Sequence, residues 1–180
     1  HQRNALLKNW TPELNNMDAL LEIYNEQLSE LGHSIWEERN DYCNRFIPEV
    51  KKVYTALSNL KEEPTIVYES QLKENNLLAL LKENKAKDIV SKRSNYGIHK
   101  DDIAFTLHQL PMKQTASQGQ RKSFLFGLKI AEFELLKQVN ATAPILLLDD
   151  IFEKLDEQRS TLLIHYLLNQ NAQLFITDTH

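Results

Sequence analysis

The segment from residue 145 to 177 constrains the fold most, because it reads as strand, helix and strand in succession. Residues 145–148 form an uninterrupted apolar run, typical of a strand buried on both faces of a helix-covered sheet. Helical spacing follows at residues 156–168, and a second short apolar strand is predicted at residues 173–177. Strand, helix and strand in this order imply a right-handed parallel crossover. The chain is therefore predicted to be α/β, and ligands of such sheets gather at the carboxyl ends of the strands.

The residues before this segment predict a further strand and a long helix. Ile103, Phe105 and Leu107 alternate with polar or small residues, as in a half-buried strand. A loop is expected at residues 111–116. Ser117 and Gln120 then stand at capping-box spacing, which predicts a helix from Ser117 to about residue 139.

The first half of the chain is mostly helical in pattern. Apolar residues recur at three- and four-residue intervals from about residue 15 to 57, over a length that exceeds an ordinary globular helix. Gly32 and Pro48 are the expected interruptions, giving two long helices or one kinked helix. Such helices could form the wall of a bundle or an arm used for contacts. A strand is predicted at residues 64–69 and helical spacing resumes at residues 76–90.

Composition narrows the class of protein. The 180 residues carry a net charge of -4, which is unlike the basic balance of most nucleic-acid-binding domains. Residues 82–100 are locally basic, and a solvated helix face explains this as well as a phosphate contact does. The single cysteine, Cys43, excludes an intramolecular disulfide. No apolar run approaches the roughly 18 residues that span a bilayer, and no signal peptide is expected. The chain starts at His1 within a helical pattern, so a fragment is expected.

Two short motifs suggest chemistry. Asp149 and Asp150 follow the apolar strand; two carboxylates there suit nucleotide hydrolysis, although one of them could simply cap the next helix. The helix start at residues 116–120 presents unpaired N–H groups and a positive dipole end to an anion, and Gly119 allows close approach of a phosphate. Taken alone, an ordinary capping box explains that second motif better.

Other chemistry has little support in the sequence. The histidines and Cys43 show no close metal-ligand spacing, and His99 beside Asp101 and Asp102 is more often structural than catalytic. No G-x-x-x-x-G-K-[ST] phosphate loop occurs, so these 180 residues alone are predicted neither to bind ATP tightly nor to hydrolyse it. None of the glycines has the spacing of that loop; they are Gly32, Gly97, Gly119 and Gly127.

The order of these motifs is more specific than any one of them. A serine-glycine helix start, a helix, an apolar strand ending in two aspartates, and then Leu155–Asp156 resemble the signature motif, Walker B strand and D-loop of an ABC-type ATPase. Within that superfamily the chain resembles the C-terminal half of the RecF family. The segments that carry the resemblance are QRNALLK, GIHKDDIAFTL, ASQGQRKSFLFGLKIAEFELL and ILLLDDIFEKLD.

The resemblance implies a role for each matching residue. Asp149 would be the Walker B carboxylate that holds Mg²⁺, and Asp150 would be catalytic. The signature residues would contact ATP bound to the other subunit of a homodimer, and Asp156 would lie in the D-loop at the dimer interface. The signature residues are Ser117, Gln118, Gly119 and Gln120.

Three positions depart from the family pattern. Ile98 replaces a usual proline before His99, and Glu153 replaces a usual small serine in the D-loop. A switch residue that contacts the nucleotide is expected after the last strand. His180 is the candidate for it but comes a residue or two later than the switch histidine of the family, so Asp178 and Thr179 are the alternatives.

The resemblance also implies a domain plan and a parent function. Residues 1–94 would be a mostly helical arm, and residues 95–180 the C-terminal part of an ABC ATPase head. The intact protein would be a bacterial cytoplasmic ATPase that binds gapped DNA or a single-strand/double-strand junction as an ATP-dependent dimer. It would cooperate with RecR-like and RecO-like proteins to load a recombinase. The alternatives are a degenerate interaction module without activity, and an SMC- or Rad50-like head fragment.

Overall fold

The computed structural model describes residues 1–11, 16–59, 61–140, 142 and 144–177. The helices in chain order are α1 (Gln2–Lys8), α2 (Met17–Leu57), α3 (Leu77–Glu83), α4 (Lys85–Ser91), α5 (Met112–Thr115), α6 (Gln118–Val139) and α7 (Glu157–Leu168). The strands are β1 (Pro64–Glu69), β2 (Asp102–Leu107), β3 (Leu110–Pro111), β4 (Leu146–Leu148) and β5 (Leu174–Ile176). None of the described helices is long and apolar enough to cross a membrane.

The predicted parallel crossover is present. Strands β4 and β5 pair in parallel, with Leu146 opposite Leu174 and Leu148 opposite Ile176, and α7 connects them. The backbone N–H of Thr177 extends the ladder by donating to the carbonyl oxygen of Leu148 at 3.0 Å. The α/β class predicted from the sequence is confirmed.

The prediction that the first of these strands is buried on both faces is wrong for this chain. Leu146 and Leu148 are buried, whereas Leu147 between them is 71% exposed. Successive side chains of a strand point to opposite faces. The described residues therefore cover only one face of the two-stranded sheet, and an apolar sequence alone does not reveal whether a second layer is present.

Helix α2 is one continuous helix of 41 residues, so Gly32 and Pro48 lie within it and do not divide it. A helix of this length extends roughly 60 Å. A Cβ at position 32 would lie 2.8 Å from the Cδ2 atom of Leu77, so the glycine allows α3 to approach α2 closely. Beyond Pro48, the buried Val50 and Val53 continue the helical pattern, and their burial compensates for the backbone donor that proline lacks.

The region from β1 to α5 contains more regular structure than the sequence predicts. Strands β1, β2 and β3 form a sheet in that order, and β3 pairs antiparallel with β2. Residues 111–116, expected to be a loop, contain the single-turn helix α5. Pro111 precedes this helix, and its carbonyl oxygen accepts a hydrogen bond from the Thr115 hydroxyl at 3.0 Å. Proline suits the start of a helix because its missing donor is not needed there.

The chain divides into two compact units. The first unit comprises His1–Asp41 and Tyr68–Ile103, and the second comprises Tyr42–Val67 and Ala104–His180. Helix α2 and strands β1 and β2 contribute residues to both. The predicted boundary near residue 94 concerned the arm and head of an intact protein, and it stays a prediction.

Each unit has its own apolar core. In the first unit Leu72, Leu77 and Leu81 are buried against Trp36, Tyr96 and Ile98. In the second unit, helices α2, α6 and α7 pack with β4 around a larger core. Its buried members are Val53, Leu57, Phe126, Ile130, Phe133, Leu146, Leu148, Ile151, Leu163 and Leu167.

Candidate functional site

The carboxyl ends of the parallel strands place Asp149 beside Thr177. Asp149 directly follows β4 and is exposed, and its Oδ1 atom accepts a hydrogen bond from the Thr177 hydroxyl at the end of β5. This contact follows from the parallel pairing, which brings the two strand ends to the same edge. An exposed carboxylate at this edge fits Mg²⁺, which prefers oxygen ligands.

Asp150 occupies a different environment from its neighbour. It is half-buried, with a left-handed backbone (φ 49°), a conformation that aspartate tolerates better than most residues. Its carbonyl oxygen accepts a hydrogen bond from the Lys122 Nζ atom at 3.0 Å. Since Lys122 lies in the second turn of α6, that helix fixes the backbone directly after β4.

The start of α6 contains the complete capping box that the sequence predicts. The backbone N–H of Gln120 donates to Ser117 Oγ at 3.2 Å, and Gln120 Oε1 accepts from the backbone N–H of Ser117 at 2.7 Å. The N–H groups of Gln118 and Gly119 in this first turn have no partner within the helix. Capping and anion binding are therefore compatible here, and contact with a nucleotide phosphate stays a prediction.

Gly119 also has a structural role within its own chain. A Cβ at this position would lie 3.3 Å from the backbone carbonyl oxygen of Lys154, which is tighter than most packing contacts. Lys154 itself has a left-handed backbone (φ 65°) in the turn between β4 and α7. The glycine thus allows this turn, the candidate D-loop, to pack against the start of α6.

Asp156 caps α7. Its Oδ1 atom accepts a hydrogen bond from the backbone N–H of Arg159 at 2.8 Å, and its side chain is 64% exposed. The alternative in which Asp149 or Asp150 caps the next helix is therefore wrong, since the cap lies further along the chain. A contact of Asp156 across a dimer interface stays a prediction.

Sequence reasoning missed a polar cluster around Glu62, which lies between α2 and β1. Glu62 Oε2 accepts from the Tyr54 hydroxyl at 2.5 Å, and Glu62 Oε1 accepts from Gln120 Nε2 at 3.0 Å and Arg159 Nη2 at 2.6 Å. Arg159 Nη1 also donates to Ser123 Oγ at 3.2 Å. No motif signals this cluster, because its members are far apart in the sequence.

The electrostatics of the cluster favour a charged Glu62. Burial alone would raise the pKa of this carboxyl, but the hydrogen bonds from Tyr54, Gln120 and Arg159 outweigh burial and lower the pKa below its ordinary value. Burial raises the pKa of Tyr54, and the hydrogen bond that its hydroxyl donates to Glu62 raises it further. Tyr54 thus remains a neutral donor and Glu62 remains an anionic acceptor.

The identity of the switch residue stays a prediction. His180, Asp178 and Thr179 lie outside the described residues. Within the parts of the chain that the structure describes, no group of three or more His, Cys, Asp and Glu residues could hold a metal ion.

Comparison with known proteins decides the family. No family model matches the chain. A curated DNA replication and repair protein RecF from Flavobacterium johnsoniae is 46% identical over 180 residues, covering 99% of this chain and 50% of the relative. Its counterpart from Bacteroides fragilis is 38% identical, again over 99% of this chain and 48% of the relative. The chain belongs to the RecF family.

Solved RecF structures share the fold of this chain. A structure of the recombination mediator protein RecF-ATP in the RecFOR pathway has a TM-score of 0.81 at 28% identity, covering 99% of this chain and 50% of that one. A structure of RecF-ATPrS in the same pathway has a TM-score of 0.78 over the same shares. The chain spans about half the length of the curated RecF relatives it matches.

Proposed function

We propose that this chain is the part of a RecF protein that supplies the signature motif, Walker B carboxylates and D-loop to an ATP-controlled dimer. ATP would close the dimer over two shared sites on gapped DNA or a strand junction, and hydrolysis would open it. The RecF relatives are named for DNA replication and repair, and the solved structures contain RecF with ATP in the RecFOR pathway. RecO-like and RecR-like proteins are accordingly the proposed partners, in the bacterial cytoplasm.

The observation that carries this proposal is the direct contact between the three segments within the second unit. Lys122 of α6 binds the carbonyl oxygen of Asp150 after β4, and Gly119 lies against the carbonyl oxygen of Lys154 in the candidate D-loop. A capping box alone, or two aspartates alone, would have an ordinary structural explanation. Their assembly around one edge of a parallel sheet supports a nucleotide-dependent machine.

Each residue has a specific task in this proposal. Asp149 would hold Mg²⁺, which would neutralise charge on the phosphates when bound. Asp150 would orient and deprotonate the attacking water. Ser117, whose Oγ accepts from Gln120, keeps its own proton available to donate to a phosphate of the partner's ATP. The N–H groups of Gln118 and Gly119 would add two further donors at the positive end of α6.

The charge of the chain is consistent with a role of this half in controlling the dimer, with DNA contact made mainly elsewhere in the intact protein. A net charge of -4 gives these residues no general attraction for the DNA backbone. The basic run at residues 82–100 is partly neutralised, since Lys82 pairs with Glu22 and Lys85 with Asp18. Control of the dimer, more than DNA contact, is therefore the proposed contribution of this half.

The test is Ser117→Arg in the intact protein, with dimerisation followed by light scattering at saturating ATP and Mg²⁺, with and without DNA. Arginine would fill the space for the partner's phosphate, so ATP-dependent dimerisation should be lost while each subunit still binds ATP. Thr142→Arg replaces another exposed hydroxyl residue, beyond the far end of α6, and is the matched control that should dimerise normally. An unmodified protein that stays monomeric at saturating ATP would overturn the proposed function.

A further inference from the structure

Glu62 is the meeting point of three elements of the second unit. Its carboxylate receives hydrogen bonds from Tyr54 near the end of α2, Gln120 in the first turn of α6, and Arg159 in the first turn of α7. The side chains of Glu62 and Arg159 are each only 14% exposed. In such partly desolvated surroundings, charge-assisted hydrogen bonds are stronger than on an open surface.

The two helix starts that meet at Glu62 carry the signature motif and the end of the candidate D-loop. The Gln120 side chain contacts Glu62 through Nε2 while its Oε1 holds the backbone N–H of Ser117. The Arg159 side chain contacts Glu62 while its backbone N–H is held by Asp156, whose Oδ2 also lies 3.6 Å from Arg159 Nε. The Glu62 carboxylate thus binds one residue of the cap of α6, Gln120, and one residue of the cap of α7, Arg159.

A carboxylate is needed at position 62 for a reason of hydrogen-bond chemistry. An ionised carboxylate only accepts, so the Gln120 amide must present its NH₂ group to Glu62 and its oxygen to Ser117. Glutamine at position 62 would have a donor as well as an acceptor. It would also leave Arg159 with only the more distant carboxylate of Asp156 as an anionic partner, and it would allow the Gln120 amide to turn over. The negative charge therefore fixes the orientation of the side chain that completes the capping box.

We propose that Glu62 is a positioning residue that holds the signature motif and the D-loop in the relative arrangement that the ATP-bound dimer requires. This inference rests on the proposed function. Glu62 acts through Gln120 and Arg159, and both segments that it holds are those proposed to reach the partner subunit. Its loss should therefore affect steps that need two subunits more than nucleotide binding to one.

The test compares Glu62→Gln with Glu63→Gln in the intact protein. Glu63 is the adjacent residue, is exposed, and undergoes the same chemical change. A misplacement of reacting groups by about 1 Å can cost on the order of 100-fold in rate. For Glu62→Gln we expect kcat for ATP hydrolysis to fall about 10- to 100-fold and dimerisation to need correspondingly more protein. The ATP affinity of the monomer should stay within about twofold, a change that corresponds to a small free energy. Glu63→Gln should match the unmodified protein.

Three outcomes decide the matter. If Ser117→Arg blocks dimerisation and Glu62→Gln behaves like the unmodified protein, Glu62 is not a positioning residue and the proposed function survives. If Glu62→Gln weakens monomer ATP binding as much as dimerisation, its effect is general destabilisation and the inference fails. If Ser117→Arg dimerises normally, the proposed function itself fails.

A second variant guards against a Glu62→Gln protein that does not fold. Arg159→Lys keeps a positive charge beside Glu62 but loses the fork that reaches Glu62 and Ser123 together. It should show the same selective fall in kcat and dimerisation, in milder form, with monomer ATP affinity unchanged. An Arg159→Lys protein with unmodified kcat would overturn the inference.

Discussion

At the scale of single residues, the adjacent aspartates Asp149 and Asp150 show how position in the fold separates two carboxylates of identical chemistry. Asp149 is exposed at the strand end beside Thr177, in a place suited to a hydrated cation. Asp150 is half-buried in a left-handed turn whose carbonyl oxygen is held by Lys122. The fold therefore assigns the more accessible position to the proposed metal ligand and the more constrained one to the proposed catalytic group.

Asp150→Asn tests the catalytic assignment without disturbing the backbone, because asparagine also tolerates a left-handed conformation. In the intact protein it should slow ATP hydrolysis about 100-fold, as expected for loss of a general base, and prolong the ATP-bound dimer. ATP affinity should be little changed. Single-turnover hydrolysis and light scattering measure the two effects. Hydrolysis at the normal rate in this variant would remove Asp150 from the mechanism.

At the scale of elements, a buried ion pair joins three helices of the first unit. Arg3 of α1 and Asp88 of α4 lie 2.8 Å apart between Nη1 and Oδ2, with side chains 2% and 0% exposed. Arg3 also donates to Asn25 Oδ1 of α2 at 2.7 Å. Helices α1 and α4 have seven residues each, too few to be stable without such tertiary contacts.

Asp88→Ala should therefore destabilise the chain strongly. Removing one partner leaves the Arg3 charge buried and uncompensated, which costs about 3–5 kcal/mol in comparable pairs. Glu22→Ala removes one partner of the exposed pair with Lys82 and is the matched control, expected to change stability little. Urea unfolding followed by circular dichroism measures both. Equal midpoints for the two variants would contradict the importance of the buried pair.

The sequence predicted elements well where local signals agree with tertiary structure. The capping box at Ser117 and Gln120 marks the start of α6, and the apolar runs at residues 145–148 and 173–177 mark the parallel pair. The reason for a glycine at position 32 within α2 was not predictable, because it lies in the close approach of Leu77 from α3. The Glu62 cluster was equally invisible, since it joins residues up to 97 positions apart.

At the scale of the whole molecule, one face of the parallel sheet is left uncovered by the described residues. Ile145, Leu147 and Phe175 on this face are 50–71% exposed. Apolar groups clustered on a sheet face are a recognised cause of association. The chain spans about half of its RecF relatives, so in an intact protein of that length the other half is available to cover this face.

The 180 residues alone are expected not to bind ATP. They contain Asp149, Asp150 and the proposed signature motif, but no G-x-x-x-x-G-K-[ST] sequence to cradle the β-phosphate, contact the γ-phosphate with lysine or ligate Mg²⁺ through a hydroxyl. In the proposed function those groups would provide most of the contacts to a nucleotide held by one subunit, whereas residues 117–120 would add contacts only from a second subunit. Titration of this chain with ATP and Mg²⁺ in a calorimeter should therefore give no saturable heat.

Full-length RecF from Flavobacterium johnsoniae, 46% identical over the shared region, is the matched comparison for that titration. It should bind ATP under the same conditions. Omitting Mg²⁺ should not change the result for the isolated chain, because Asp149 alone supplies too few ligands for a stable metal–nucleotide site. Micromolar ATP affinity in the isolated chain would show that its own residues form a nucleotide site, and the assignment of Ser117 and Gly119 to the partner's nucleotide would then have to be abandoned.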